Sequence, residues 1–180
     1  MKVVAIVGMA GSGKSEVAKI FEHHGFAKVR FGDITDREIS QRGLELSEEN
    51  ERYIRQQLRQ EHGMSAYAKL SLSRIDRLLK SANVVVDGLY SWEEYILLKS
   101  RYGDQFTVVA VWASPQTRYS RLAKRLVRPL TAEETVSRDI AEIEDTNKGG
   151  PIAIADFIIM NESSLEALER ETKRVLAALK

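Results

Sequence analysis

Gly8-Met9-Ala10-Gly11-Ser12-Gly13-Lys14-Ser15 decides the reading of this chain. The stretch satisfies the pattern G-x-x-x-x-G-K-[ST] at every fixed position, directly after the apolar run 3–7 and directly before a segment of helical period. Glycines at such a turn let the backbone wrap closely enough for successive N–H groups to face phosphates. The helix that starts near Gly13 adds the positive end of its dipole. All eight residues are thereby candidates for holding the phosphates of ATP, with the Lys14 ammonium reaching the β and γ phosphates and the Ser15 hydroxyl ligating Mg²⁺.

Outward from this loop, short β-branched runs alternate with longer helical segments, the pattern of a parallel sheet with helices on both faces. Strands are expected over 3–7, 28–31, 84–86, 106–112 and 156–160. Their nearly continuous apolar character suits burial on both sides. The fold class expected is α/β, a P-loop NTPase fold on a five-stranded parallel sheet.

Helix signals punctuate the rest. Val17, Ile20 and Phe21 share one face of 14–24, and Ser114-Pro115 supplies an N-cap followed by proline at the first helical position. Thr131-Ala132-Glu133-Glu134 and Ser163-Ser164-Leu165-Glu166 read as capping boxes that open two further helices. The helical stretch 33–82, interrupted near Gly43 and His62-Gly63, is far longer than a minimal crossover, so it is the expected acceptor-binding insertion. The segment 125–138 is the expected short lid.

At 180 residues the chain fits one domain, 1–180, with neither an internal repeat nor a low-complexity linker. Lys plus Arg number 27 against 26 Asp plus Glu, a balance that argues against a nucleic-acid partner. No cysteine is present, which excludes disulfides, thiolate metal sites and thiol catalysis and makes reducing cytosol the default. The apolar opening breaks at Gly8 and no run approaches the roughly 20 residues of a membrane span, so a soluble cytoplasmic protein is expected.

Val84-Val85-Val86-Asp87-Gly88 is an apolar strand ending in an acid, which places the Asp87 carboxylate at the sheet edge beside the phosphate loop, where it can hold Mg²⁺. Asp33 follows the second strand, across the expected phosphate site. There it can orient the proton of an acceptor hydroxyl or cap the next helix; a monophosphate acceptor needs no base. Arg118, Arg121, Arg125 and Arg128 recur at intervals of three, four and three and form a cationic strip if the helix persists that far. For Arg118 an ordinary solvated face is the plainer expectation. Asn147-Lys148-Gly149-Gly150 lacks the final acid of a guanine-reading Asn-Lys-x-Asp, which argues against GTP. Trp92 and Trp112 are expected to pack rather than stack on a base.

Phe31-Gly32-Asp33-Ile34-Thr35-Asp36-Arg37-Glu38 resembles the acceptor segment of nucleotide kinases: Gly-Asp as in adenylate kinases, Asp-x-x-x-Arg-Glu as in dephospho-CoA kinases. Ser114 through Arg121, Arg125 and Thr131-Ala132-Glu133-Glu134 to Arg138 is similar to the helix, lid and lid exit of dephospho-CoA kinases, as is 155–166. Over nearly its whole length the chain resembles an uncharacterised, largely archaeal family of adenylate-kinase-related, dephospho-CoA-kinase-like proteins. The resemblance implies an ATP- and Mg²⁺-dependent kinase acting on a small nucleotide-like acceptor, a nucleoside monophosphate or a dephospho-CoA-like molecule. It gives Arg121, Arg125 and Arg138 the task of neutralising nucleotide and transferring phosphoryl charge.

There are departures. Gly88-Leu89-Tyr90-Ser91-Trp92-Glu93-Glu94 replaces the Pro-Leu-Leu-Phe-Glu of dephospho-CoA kinases, and Tyr90 stands near where nucleoside monophosphate kinases carry an arginine. The Asp36-Arg37 order also aims Arg37 away from the acceptor. The alternative reading is a P-loop ATPase or nucleotide-dependent switch, RNA-associated, without small-molecule kinase activity.

Overall fold

The computed structural model describes residues 1–127 and 129–179. Five parallel strands, β1 (Val3–Val7), β2 (Ala27–Arg30), β3 (Val84–Asp87), β4 (Phe106–Trp112) and β5 (Phe157–Met160), form one sheet in the order β2-β3-β1-β4-β5. β1 lies at the centre, with Ile6 in register with Asp87 of β3 and Val109 of β4. The chain therefore reverses its direction of winding at β1. A crevice opens at the carboxyl end of that strand, where the phosphate loop begins.

Helices cover both faces. Val4 and Ile6 pack with Val17 and Phe21 of α1 (Lys14–His23) and with Leu168 and Val175 of α9 (Leu165–Ala178). Val3, Ala5 and Val7 point the other way, into the larger core. That core includes Ile39 of α2 (Gly32–Gln41), Ile54 and Leu58 of α3 (Glu48–His62), Tyr67 and Ile75 of α4 (Ala66–Leu78), and Leu98 of α5 (Trp92–Tyr102). This alternation along β1 is the period-2 signature of a strand buried on both sides. The expectation of burial on both faces fails for β5, where Ile158 and Met160 are 60% and 55% exposed: as an edge strand it is covered on one face only. No helix among the described residues is long and apolar enough to cross a membrane.

The helical stretch after β2 divides where its glycines permit. Gly43 (φ +64°) follows α2, and Gly63 (φ +81°) caps α3 in a conformation that side chains rarely adopt. Asp33 lies in the first turn of α2, whose N-cap is Phe31, so it is not the cap. Ser47 caps α3 through the Asn50 amide.

After β4, α6 (Pro115–Ala123) starts at Ser114 as expected, and α7 (Ala132–Glu144) carries both bonds of its capping box. The cap of α9 is Ser164, accepting from the Ala167 amide, one residue later than the Ser163 capping box expected. A short helix, α8 (Gly149–Ala153), joins α7 to β5.

The cationic strip along α6 does not form. The helix ends at Ala123, where Leu130 turns back to pack on Leu122, so Arg125 lies beyond the helix; Arg128 lies outside the described residues. Arg118 is not on a solvated face either, being 4% exposed. Its guanidinium meets both oxygens of Asp139 at 2.8 and 2.6 Å, and it donates to the carbonyl oxygen of Ala10 at 3.1 Å. The pair thus ties α6 and α7 to the phosphate loop. Because removing one partner strands a buried charge, Arg118→Ala is expected to cost about 3–5 kcal/mol of stability. Chemical denaturation compared with wild type measures it.

Candidate functional site

The loop between β1 and α1 is held from three sides. Ala10 is fixed by Arg118, and Asn161 donates from Nδ2 to the carbonyl oxygen of Ser12 at 2.8 Å. Gly13 takes φ +99° with the Asn161 amide so close that a Cβ would collide with it, so only glycine fits. The Lys14 Nζ donates to the carbonyl oxygen of Met9 at 2.9 Å, folded back on its own loop.

This loop forms one wall of a cavity of about 250 Å³. Asp87 faces it from the end of β3. Arg52, Arg55 and Arg59 line it from α3, Arg138 from α7 beside Glu48 of α3, and Arg125 from the segment after α6. Among the described residues eight cationic and six acidic side chains line it, an excess that suits an anionic ligand.

Ion pairs arrange most of these charges. Arg55 holds Glu48 and Glu51 at 2.7 and 3.1 Å, Arg138 reaches Glu48 at 2.8 Å and Glu142 at 3.4 Å, and Lys148 meets Glu142 at 2.9 Å. Burial pushes the Glu142 carboxyl up, but Lys148, Lys14 and Arg138 outweigh it and bring the group down to about 2. Its Oε2 accepts from the Ala10 amide at 3.2 Å, so a carboxylate sits on a backbone donor of the phosphate loop. Burial, with Lys148 and Arg138 adding and Glu142 opposing, lowers Lys14 to about 7. An anion bound beside it restores its charge.

Of the residues singled out in the sequence, the cavity brings together Ala10, Gly11, Lys14, Ser15, Asp87, Arg125 and Arg138. Arg125 is exposed and its pKa is lowered by partial burial and by Arg138. Gly8, Met9, Ser12 and Gly13 of the loop stand outside the cavity lining, and so do Asp33 and Arg121. Asp33 pairs with Arg30 at 3.0 Å and Arg74 at 3.7 Å, while Arg121 lies beyond the loop, with Nη2 3.4 Å from Asn161 Oδ1. Arg37 is exposed and absent from the lining, in agreement with its expected outward aim. Trp92 packs as expected, stacked on Tyr95 with ring centroids 5.1 Å apart.

For Mg²⁺, the donor set is the test. Among the described residues no group of three or more His, Cys, Asp or Glu side chains is placed to hold a metal, so any ion here would rely on oxygens of a bound phosphate and water as well. Ser15 Oγ and Asp87 Oδ1 are 3.4 Å apart, both hard oxygen donors. Burial raises the Asp87 pKa despite Lys14 and the Ser15 hydroxyl, a cost that a cation relieves. The pair fits Mg²⁺.

Sequence reading missed the arginines of α3, together with Glu142 and Lys148. The α3 arginines are spaced three and four apart, a visible signal on one helix face. Glu142 and Lys148 carried none, because their meeting depends on the turn between α7 and α8. Ser91-x-x-Glu94 is a further signal that was there: Ser91 caps α5 through the Glu94 amide at 3.1 Å, and Glu94 Oε2 accepts from the Tyr90 amide at 2.7 Å. Tyr90 is thereby fixed, with the Lys148 ammonium 5.4 Å from its ring centroid.

Glu94 is fully buried, which raises its carboxyl to about 7 although the Tyr90 amide opposes this. With its folded pKa above the unfolded one, the folded state holds the extra proton between about 4.5 and 7. Stability from this group therefore falls as pH rises through that window and stays lower above it. Glu94→Gln, which keeps the acceptor for Tyr90, is expected to gain on wild type by about 3 kcal/mol between pH 5 and pH 8. Denaturation of both proteins at the two pH values measures the difference.

Comparison with known proteins agrees with the architecture. The family model described as an AAA domain matches residues 4–145. A UPF0200 protein of Thermococcus kodakarensis is 39% identical over 178 residues, which cover 97% of this chain and 96% of the relative. Among solved structures, a gluconokinase from Sinorhizobium meliloti superposes with TM-score 0.64 at 17% identity, over 99% of this chain and 93% of that one. A dephospho-CoA kinase from Campylobacter jejuni gives 0.57 at 15% identity, over 99% and 97%. At such identities the likeness is one of fold, that of P-loop kinases. The phosphate loop at the head of a central parallel strand and the match along nearly the whole chain lead to one conclusion: this protein belongs to the AAA domain family and to the UPF0200 proteins.

Proposed function

We propose that the protein is an ATP- and Mg²⁺-dependent phosphotransferase of the small nucleotide-kinase type, acting on a nucleotide-like acceptor. The observation that carries this reading is the shared cavity, where Lys14, Ser15 and Asp87 share one lining with the arginines of α3 and with Arg125 and Arg138. A nucleotide's triphosphate needs only the first group. The arginines leave a place for a second anion and for charge that develops during transfer.

In this reading the amides of residues 8–15 wrap the phosphates of ATP, and Lys14 contacts the β and γ groups. The Glu142 carboxylate yields the Ala10 amide to phosphate. Ser15 and Asp87 hold Mg²⁺, which when bound neutralises phosphate oxygens. Arg125 and Arg138, at the two ends of the lid 125–138, draw over the transferring phosphoryl group, and Arg121 neutralises nucleotide charge beyond the loop. The helices of 33–82 hold the acceptor. Asp33, paired with Arg30, keeps that arginine on the cavity wall. The chain works as one domain in the cytoplasm.

A screen of small acceptors with ATP and Mg²⁺, scored by ADP release above the basal rate, tests the reading. One class of nucleotide-like acceptor is expected to raise release well above basal. Release that no acceptor changes would overturn the kinase reading and favour a bare ATPase or switch.

A further inference from the structure

The cavity's carboxylates are poorly suited to take a proton from an alcohol. Asp36 is 2.6 Å from Arg30, Glu48 and Glu51 are held by Arg55, and Glu142, at about 2, is a very weak base. Asp87 is the candidate metal ligand, Asp145 is on the lining but exposed to solvent, and Asp33 is absent from the lining. Among the described residues no histidine lines the cavity. A hydroxyl nucleophile gains most from a general base of raised pKa. A phosphate oxygen, already anionic at neutral pH, needs none.

The cations tell the same story from another side. Arg59 lies on the α3 face that carries Arg52 and Arg55, with its guanidinium 5.8 Å from the centroid of the buried Tyr67 ring. It makes no ion pair with any described residue, and its Nε is buried without a hydrogen-bond partner. Nearby Glu94, whose carboxyl Arg59 draws down, accepts at Oε2 from the Tyr90 amide and forms no salt bridge with Arg59. Arg52 likewise has no carboxylate among the described residues, and donates to Ser137 Oγ at 3.2 Å. A planar guanidinium held over an aromatic ring with donors to spare is suited to a phosphate.

Resting on the kinase reading, we infer that the acceptor is a phosphomonoester whose phosphate is seated on the α3 arginine face by Arg59, with Arg52 and Arg55 beside it, and whose phosphate oxygen is the nucleophile. That oxygen forms a bond to the γ phosphorus of ATP as the bond from γ phosphorus to the β–γ bridging oxygen breaks. The electron pair leaves with ADP. A dianionic monoester and ATP⁴⁻ become a trianionic diphosphate and ADP³⁻, so charge balances with no proton moved. The Arg59 face thus takes over the part for which Tyr90 lacks a guanidinium.

Equilibrium binding and turnover together test this. AMP, CMP, GMP, UMP and ribose 5-phosphate are titrated against wild type, Arg59→Gln and Arg59→Lys, with the matching nucleosides and dephospho-CoA as hydroxyl acceptors. At least one monophosphate is expected to bind and to accept the phosphoryl group, with ribose 5-phosphate showing whether a base is also read. Its Kd and KM should rise on the order of tenfold or more in Arg59→Gln, with partial recovery in Arg59→Lys. A thermal shift with ATP and Mg²⁺ in each variant reports that the fold is kept. Failure of every monophosphate to bind wild type, an unchanged Kd in Arg59→Gln, or transfer only to hydroxyl acceptors would overturn the inference, and in the last case the kinase reading survives. Arg59-dependent monophosphate binding without any transfer would leave the seat standing and remove the kinase reading instead.

Discussion

Lys14→Ala is expected to abolish ATP turnover, a loss on the order of 10³-fold or more, as when a charge that stabilises a transferring phosphoryl group is removed. The fold should not suffer. Among the described residues Lys14 donates to the Met9 carbonyl of its own loop alone, and burial has already pushed its pKa down to about 7, so its charge is a cost to the ligand-free protein. By linkage, a lysine whose folded pKa lies below its unfolded value destabilises the native state wherever the unfolded lysine is charged. The variant's melting temperature without nucleotide should then be no lower than that of wild type, while the stabilisation by ATP and Mg²⁺ shrinks. Unchanged turnover in a folded Lys14→Ala protein would sink the nucleotide assignment.

The lid arginines come next in expected effect. Arg125 makes no ion pair among the described residues, whereas Arg138 is shared between Glu48 and Glu142. If both close on the transferring group, they act mainly in the transition state. Arg125→Ala and Arg138→Ala should then each lower kcat by about 10³-fold while ATP affinity changes far less. Lysine at either position should rescue only in part, since an ammonium keeps the charge and loses the planar two-pronged contact. A protein that uses these arginines on RNA would behave otherwise: basal hydrolysis would persist and the slope of log affinity against log salt would flatten. Steady-state kinetics and salt-dependent RNA binding on the Arg125→Ala protein separate the two.

Much of the fold was legible because its signals are local. The five strands announce themselves as apolar runs, and Gly43, Gly63, Ser114-Pro115 and the Thr131 capping box mark helix ends where the structure has them. What escaped depends on tertiary partners. Arg118 reads as a surface arginine until Asp139, on a different helix, arrives to pair with it. Ile158 and Met160 read as core until β5 proves to be the sheet edge.

The candidate site divides in the same way. Gly8 to Ser15 and Asp87 could be placed from sequence, because a fixed motif and a strand end set their positions along the chain. The arginines of α3 could not, because Arg52, Arg55 and Arg59 join the cavity lining only once α3 has packed against α2 and α4. Glu142 and Lys148 needed the α7–α8 turn to meet beside Lys14.

The central claim is that a phosphoryl group leaves ATP at this cavity for a small acceptor, and label transfer from γ-³²P-ATP tests it most directly. With Mg²⁺ and a monophosphate acceptor, the label is expected in the acceptor product in proportion to the ADP formed, and absent when Lys14→Ala replaces wild type. Label recovered only as inorganic phosphate, whatever acceptor is supplied, would contradict it.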